Sequence, residues 1–221
     1  MHSFADRTVA GRDLALAVGR LGVTDPVVLA LPRGGVPVAA EVARALSAPI
    51  DLVMVRKIGL PSWPELAAGA VVNGDSPQIV VNDAIARSAG LTPADVNRLA
   101  APHLTEIRRR RDVYLAGRPH ESLAGRTAIV VDDGIATGAT MRAAVLAVRK
   151  QGPSRLILAV PVAARDSLAG LADLVDDVVC LRVPTEFIAV GAHYDSFDQV
   201  SDDQVTAILQ GLWHPPNGSE G

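Results

Sequence analysis

Thirteen consecutive residues, Ile129-Val130-Val131-Asp132-Asp133-Gly134-Ile135-Ala136-Thr137-Gly138-Ala139-Thr140-Met141, join two adjacent carboxylates to a small-residue turn that carries two hydroxyls. The run Ile129 to Val131 has the apolar, β-branched character of a buried parallel strand, and a helical pattern starts at the far end of the turn. Such a turn at a helix N-terminus offers an anion several backbone N–H groups and the positive end of the helix, and Thr137 and Thr140 add hydroxyl donors. Asp132 and Asp133 repel phosphate. Their suitable partners are the vicinal hydroxyls of a ribose, with a divalent cation nearby to offset the charge. The combination points to a sugar phosphate.

Two further segments could share that ligand. Leu31-Pro32-Arg33-Gly34-Gly35-Val36-Pro37 also lies between a strand-like run and a helical pattern. Its glycines permit close backbone approach to an anion, and Arg33 supplies a forked cation suited to phosphate. Arg56-Lys57 follows the next strand-like run and adds two cations. The densest charge is Arg108 to Arg111. On a helix these four wrap round more than one face, so most are expected in solvent or paired with Glu106 and Asp112. Near the end, the segment Pro184 to Phe197 holds Phe187, Tyr194 and Phe197, three of seven aromatic residues in the chain. A flat ring wants such a stacking face, although packing of a small lobe would use the same residues. A P-loop is excluded because Ala139, not Lys, follows Gly138, and no G-x-G-x-x-G occurs.

An apolar strand, two acidic residues and a Thr-Gly-x-Thr turn resemble the 5-phosphoribosyl 1-pyrophosphate (PRPP) signature of the type I phosphoribosyltransferases. With Phe4 to Gly11, the Arg33 loop, Arg56-Lys57 and the Tyr194 segment, the likeness spans nearly the whole chain and is similar to a subgroup with no established acceptor. The resemblance implies an α/β fold with a parallel sheet flanked by helices, a small hood and a helical insertion. It implies PRPP contacts at Arg33, Gly34, Gly35, Arg56, Lys57, Asp132, Asp133, Gly134, Ala136, Thr137, Gly138, Ala139 and Thr140. Asp132, Asp133, Arg33 and Lys57 are expected to act in catalysis, and Mg²⁺ is the expected cofactor, held indirectly by the two aspartates. The acceptor is expected against Phe187, Tyr194 and Asp195. Three positions depart from the hypoxanthine-guanine branch: Ala136 replaces its usual Asp, Ala139 its Lys, and Leu158 to Val162 lacks its lysine. An adenine, pyrimidine, nicotinate-like or non-nucleobase acceptor therefore stays open, as do two other classes, a PRPP-sensing regulator without turnover and a ribose-phosphate hydrolase.

The elements that must position these residues are legible as an alternation. Strand-like runs at Val27 to Leu31, Ile50 to Val55, Ala128 to Val131, Leu156 to Val160 and Val178 to Val183 alternate with helical patterns, the signature of a parallel sheet with crossover helices. Helices are expected at Ala10 to Leu21, Val36 to Leu46, Pro93 to Leu115 with Thr92 as N-cap, Thr140 to Gln151, Ala164 to Leu171 and Ser201 to Leu212. From Gly69 to Gly125 the order is less regular, with a short hairpin around Asn73-Gly74-Asp75 followed by helical matter outside the core sheet. One domain over 1–213 is expected, with the hood from the N-terminal segment and 184–200, a helical insertion at about 83–118, and a disordered tail at 214–221.

Composition narrows the class. The chain has 221 residues, 49% of them hydrophobic and 3% aromatic, which suits one α/β core rich in valine, alanine and leucine. A formal charge of −3 disfavours nucleic acid as main partner. The chain lacks an apolar run of membrane-spanning length, and its start lacks a basic n-region, so a cytoplasmic protein off the membrane is expected. Cys180, the single cysteine, sits in an apolar run and reads as a buried small hydrophobe. Assembly into a homodimer stays open.

Overall fold

The computed structural model describes residues 3–60, 63–73 and 78–212. A five-stranded parallel sheet forms its centre, in the order β2-β1-β6-β7-β8. These strands are β1 (Pro26–Ala30), β2 (Ile50–Leu52), β6 (Thr127–Val131), β7 (Arg155–Val162) and β8 (Asp177–Arg182). Every residue of β6 is buried, and so is all of β7 after Arg155. Strands hidden on both faces have no polar side, which is why the sequence shows continuous apolar runs there. Alternate residues nevertheless divide between two cores. Val28, Ala30, Ile129, Val131, Ile157 and Ala159 meet α1 (Arg7–Gly19), α2 (Gly35–Leu46) and α7 (Asp202–Leu212) on one face. On the other face, Val27, Leu29, Ala128, Val130, Leu156 and Leu158 meet α5 (Ala139–Arg149).

The expected second strand, Ile50 to Val55, divides in two. Only Ile50–Leu52 joins the parallel sheet, and β3 (Val55–Leu60) pairs instead with β4 (Trp63–Val72), which pairs with β5 (Gln78–Val81) in a separate antiparallel sheet. The parallel pairing ends at Val53 N–H on the Ala30 carbonyl, because Pro32 offers no further N–H, and buried Asn73 holds the other edge: its side chain donates to the Leu52 carbonyl at 2.9 Å and accepts from Met54 N–H at 2.5 Å. Those bonds occupy backbone groups on the open edge of β2, which faces away from β1, and with Asn73 N–H donating to the Met54 carbonyl at 3.1 Å they start the β3–β4 pairing. The expected hairpin is the β4–β5 pair, and Gly74 and Asp75 at its turn lie outside the described residues, as does the segment 214–221.

Helices α3 (Asp83–Ser88) and α4 (Pro93–Leu115) follow β5, and α6 (Arg165–Ala172) connects β7 to β8. Thr92 caps α4 as its sequence predicts, in a reciprocal capping box with Asp95 and with proline in the first turn. The four arginines of α4 divide as a helix requires. Arg109 and Arg110 bind Glu106, whereas Arg111 turns inward, away from the expected Asp112, and donates to both oxygens of buried Asp51 at 3.1 and 3.3 Å. Cys180 is partly buried, with its thiol donating to the Arg182 carbonyl at 3.2 Å and pushed up in pKa by burial.

Burial alone would raise the Asp51 carboxyl, but the hydrogen bond with His120, the Arg111 charge and N–H donors from Glu121 and Leu52 outweigh it and hold it below the ordinary range. Arg111→Met leaves that carboxylate buried without its main counter-charge, so unfolding in urea should show a loss of about 3–5 kcal/mol. Because the folded pKa lies below the unfolded one, Asp51 stabilises the protein above its unfolded-state pKa and ceases to do so as pH falls through the folded value. The variant should therefore lose part of the wild-type acid sensitivity, and an unchanged urea midpoint at neutral pH would refute the assignment.

Candidate functional site

Strands β1 and β6 are neighbours, so the loops that leave their carboxyl ends are forced together. Leu31 N–H donates to the Val131 carbonyl at 3.0 Å, one residue past the strand pairing, and Gly35 N–H then closes the first loop on the Leu31 carbonyl at 3.0 Å. The Pro32–Arg33 peptide in this loop is cis. A Cβ on Gly34 would lie 2.1 Å from an Asp133 carboxylate oxygen, and one on Gly35 would lie 2.9 Å from the Asp132 Cα and the Val131 carbonyl oxygen. Only glycine fits there. The Arg33-Gly34-Gly35 loop and the Asp132-Asp133 pair are consequently one packed unit.

The two aspartates differ in their surroundings. Asp132 accepts the Asp133 backbone N–H on Oδ1 at 2.9 Å, and its carboxyl is pushed well above the ordinary range by burial and then by the adjacent Asp133 charge. Burial also raises Asp133, although the Arg7 guanidinium opposes the shift. Arg7 Nε donates to Asp133 Oδ2 at 2.8 Å, and the two side chains are only 11% and 13% exposed. Arg7 also donates to the Asp198 carbonyl at 2.8 Å and lies 3.8 Å from the Phe197 ring centroid.

Beyond the carboxylates, the turn is held from its far side. Ile135 N–H donates to the Val162 carbonyl and Ala164 N–H to the Ile135 carbonyl, both at 2.9 Å, while the Ser167 hydroxyl donates to the Ala136 carbonyl. Gly138 adopts a left-handed φ of +74° as the N-cap of α5 and offers no side chain to the first helical turn. Among the described residues, no backbone carbonyl pairs with the N–H groups of Thr137 to Met141, and the first bond is Arg142 N–H to the Gly138 carbonyl at 2.8 Å. Thr137, Ala139 and Thr140 are exposed beside these donors. An anion seated here would meet N–H groups that the helix cannot satisfy itself.

The basic residues are placed around a wider arc. Arg33 pairs with Asp202 at 3.4 Å, Arg56 pairs with Glu106 at 3.5 Å, and Lys57 is exposed on β3. Glu106 is drawn down to about 2 by hydrogen bonds from Arg109 and Arg110, so it is ionised when it meets Arg56. Among the described residues, no group of three His, Cys, Asp or Glu side chains is arranged to hold a metal. Two neighbouring carboxylates can still serve a Mg²⁺ that takes most of its ligands from phosphate, hydroxyl and water oxygens.

The aromatic segment forms a small lobe over the second aspartate. Phe4 forms a parallel bridge with Tyr194, and N–H groups of Asp195 and Ser196 donate to the Phe4 and Ala5 carbonyls at 2.8 and 3.0 Å. Tyr194 is 6% exposed, its ring packs between Phe4 and Phe197, and its hydroxyl donates to the Asp133 carbonyl at 2.6 Å. That ring offers no open face for stacking; it fastens the lobe to the carboxylate turn. Asp195 is exposed and accepts from Ser3. Phe187 is half-buried against His193, with ring centroids 5.5 Å apart, and its neighbour Ile188 is 88% exposed.

A sequence profile of the phosphoribosyl transferase domain matches residues 10–196. The chain belongs to this family. It is 46% identical over 209 residues to sequences from two Mycobacterium tuberculosis strains, named "Putative phosphoribosyl transferase" MT0597 and Rv0571c, a match that covers 95% of the chain and 47% of each relative. The chain thus spans about half the length of these relatives. The crystal structure of TT1426 from Thermus thermophilus is similar over 96% of this chain and 99% of that one, with 44% identity and a TM-score of 0.83.

Arg7, Tyr114 and Asp202 escape a reading by motif, because each reaches the phosphoribosyl transferase signature or its Gly-Gly loop only through the tertiary fold. Gly34→Ala should drive Asp133 from its place and separate it from Arg7 while the sheet remains intact. A loss of about 1–3 kcal/mol by thermal unfolding, typical of overpacking, is expected with an unchanged far-ultraviolet spectrum; wild-type stability would refute the close approach.

Proposed function

We propose that this phosphoribosyl transferase domain moves a 5-phosphoribosyl group from PRPP to a nitrogen acceptor and releases pyrophosphate. The observation that carries the reading is the direct packing of the Gly34-Gly35 loop on Asp132 and Asp133. It juxtaposes a ribose-hydroxyl site and an arginine-bearing anion loop, as a ligand with pyrophosphate on a ribose requires.

In this reading the free N–H groups of Thr137 to Met141 and the hydroxyls of Thr137 and Thr140 hold the 5′-phosphate, along the turn of Gly134, Ala136, Gly138 and Ala139. Asp132 and Asp133 accept hydrogen bonds from the ribose 2′- and 3′-hydroxyls. Arg33, Arg56 and Lys57 balance the charge of the pyrophosphate. The acceptor nitrogen donates its lone pair to the anomeric carbon as the bond to pyrophosphate breaks, the bonding pair leaves with pyrophosphate, and a proton on the nitrogen is lost. Cations aimed at the leaving oxygens favour this step because negative charge grows there. Asp132 and Asp133 would hold Mg²⁺ indirectly, and the ion would supply charge neutralisation for the leaving pyrophosphate.

The acceptor in this reading is a flat nitrogen heterocycle on the Phe187 side of the lobe, with Asp195 as a polar contact and Tyr194 acting through Asp133. Ala136 and the lysine-free run Leu158 to Val162 lack the polar partners that the hypoxanthine-guanine branch applies to its base. Mass spectrometry of PRPP and Mg²⁺ with a panel of bases is the first test. A ribonucleotide and pyrophosphate are expected together; binding without release would leave a PRPP sensor, and release without an acceptor a hydrolase.

Two mutational outcomes follow. The double variant Asp132→Asn with Asp133→Asn should fold yet bind PRPP in the presence of Mg²⁺ at least about 10-fold more weakly by calorimetry, the scale of losing charge-assisted hydrogen bonds. Unchanged affinity would refute the donor site. Phe187→Ala should raise the KM for the acceptor and leave PRPP affinity within about two-fold, whereas Tyr194→Phe should lower stability by about 1 kcal/mol through the lost bond to Asp133. Equal loss of PRPP and acceptor binding in Phe187→Ala would move the acceptor elsewhere.

A further inference from the structure

Arg33 stands in the Gly-Gly loop, but its partner lies on the last helix. Its Nη1 donates to Asp202 Oδ1 at 3.4 Å, and the Tyr114 hydroxyl donates to that same oxygen at 2.6 Å. Tyr114 comes from α4 and is 1% exposed, so the Gly-Gly loop and α4 converge on one carboxylate oxygen of α7. Asp202 has little freedom. Ser201 and Gln204 form a reciprocal capping box, with Ser201 N–H donating to Gln204 Oε1 at 2.8 Å and Gln204 N–H to Ser201 Oγ at 3.1 Å. That fixes Asp202 in the first turn of α7. Its carboxyl is held below the ordinary range by the Tyr114 hydrogen bond and, against some desolvation, by the Arg33 charge. Tyr114 is pushed up to about 12 by burial and then by its bond with Asp202, so it remains a donor at neutral pH.

Only Nη1 of the guanidinium fork is engaged by this pair among the described residues. Its other N–H groups remain available to a second acceptor, since the fork carries five donors. We propose that Asp202, itself oriented by Tyr114, is a positioning residue that pre-orients Arg33 for the pyrophosphate group of the donor. This inference rests on the reading that Arg33 grips pyrophosphate. An arginine on a glycine-rich loop otherwise loses much rotamer freedom when it engages a ligand, and a tether formed beforehand lowers that cost. It also gives α4 and α7 a part in the donor site, although neither bears a signature residue.

The two ideas separate in a double-mutant cycle read by calorimetry with inorganic pyrophosphate and, separately, ribose 5-phosphate, each with Mg²⁺. Arg33→Ala should weaken pyrophosphate binding about 10-fold or more and ribose 5-phosphate much less. Asp202→Asn should weaken pyrophosphate about 3- to 5-fold, the reach of a partly exposed ion pair, and leave ribose 5-phosphate unchanged. Asp202→Glu should restore most of the loss, Tyr114→Phe should lose about 2-fold, and Asp202→Asn should have no effect in the Arg33→Ala background. An unchanged pyrophosphate affinity in Arg33→Ala would defeat the pyrophosphate reading itself. A normal loss there with no loss, a gain, or equal loss of both ligands in Asp202→Asn would overturn the positioning role alone. A full effect of Asp202→Asn without Arg33 would overturn it too.

Discussion

The close approach of two loops at the carboxyl ends of β1 and β6 governs this site. Parallel strands paired from Pro26 with Thr127 to Ala30 with Val131 leave no room for ordinary side chains where the chains emerge. Gly34 and Gly35 resolve the crowding by presenting backbone alone. The same crowding pins Asp133 between Gly34 and Arg7, so carboxylate geometry is a product of sheet pairing as much as of local turn structure. Ligands of open α/β sheets bind at this rim because crossover helices turn away there and leave helix N-termini and loop N–H groups facing outward.

Charge balance is the second constraint. Two adjacent carboxylates in a half-buried turn repel each other, and burial further disfavours their ionised forms. The protein answers unevenly: Asp133 receives a guanidinium, and Asp132 receives one backbone N–H and the larger upward shift. Two of the cations are balanced too, Arg33 by Asp202 and Arg56 by Glu106. Asp133, Arg33 and Arg56 therefore each hold a partner within the chain.

Much of this was legible in the sequence where function and local structure coincide. The Asp132 motif had to follow a buried strand and precede a helix, and α4 had to begin at Thr92 because the capping signal is local. Register within the second strand was not legible. Where Ile50 to Val55 leaves β1 and turns to β4 depends on tertiary pairing, with Asn73 bonding the backbone of Leu52 and Met54 on the edge away from β1. Aromatic residues near the carboxyl end carried two compatible meanings, and tertiary packing divided them: Tyr194 is covered on both sides, whereas Phe187 retains some exposure. Nothing in the local pattern of Phe4 to Gly11 tells which helical face meets Asp133. That depends on how α1 lies on the sheet.

The lobe built from Phe4 and Tyr194 to Ser196 is stitched from stretches far apart in the sequence. Contacts between such distant stretches form late, because closing so long a loop costs chain entropy that only the preassembled core can offset. During synthesis, Arg7 emerges before Asp133, and Phe197 and the Asp198 carbonyl that complete the arginine's surroundings emerge after both. The αβ core can assemble its strand-end loops in order as the chain lengthens. The charge partner of Asp133 gains its full surroundings only once the Phe197–Asp198 stretch has been made, so the acidic site depends on residues far downstream of its own motif.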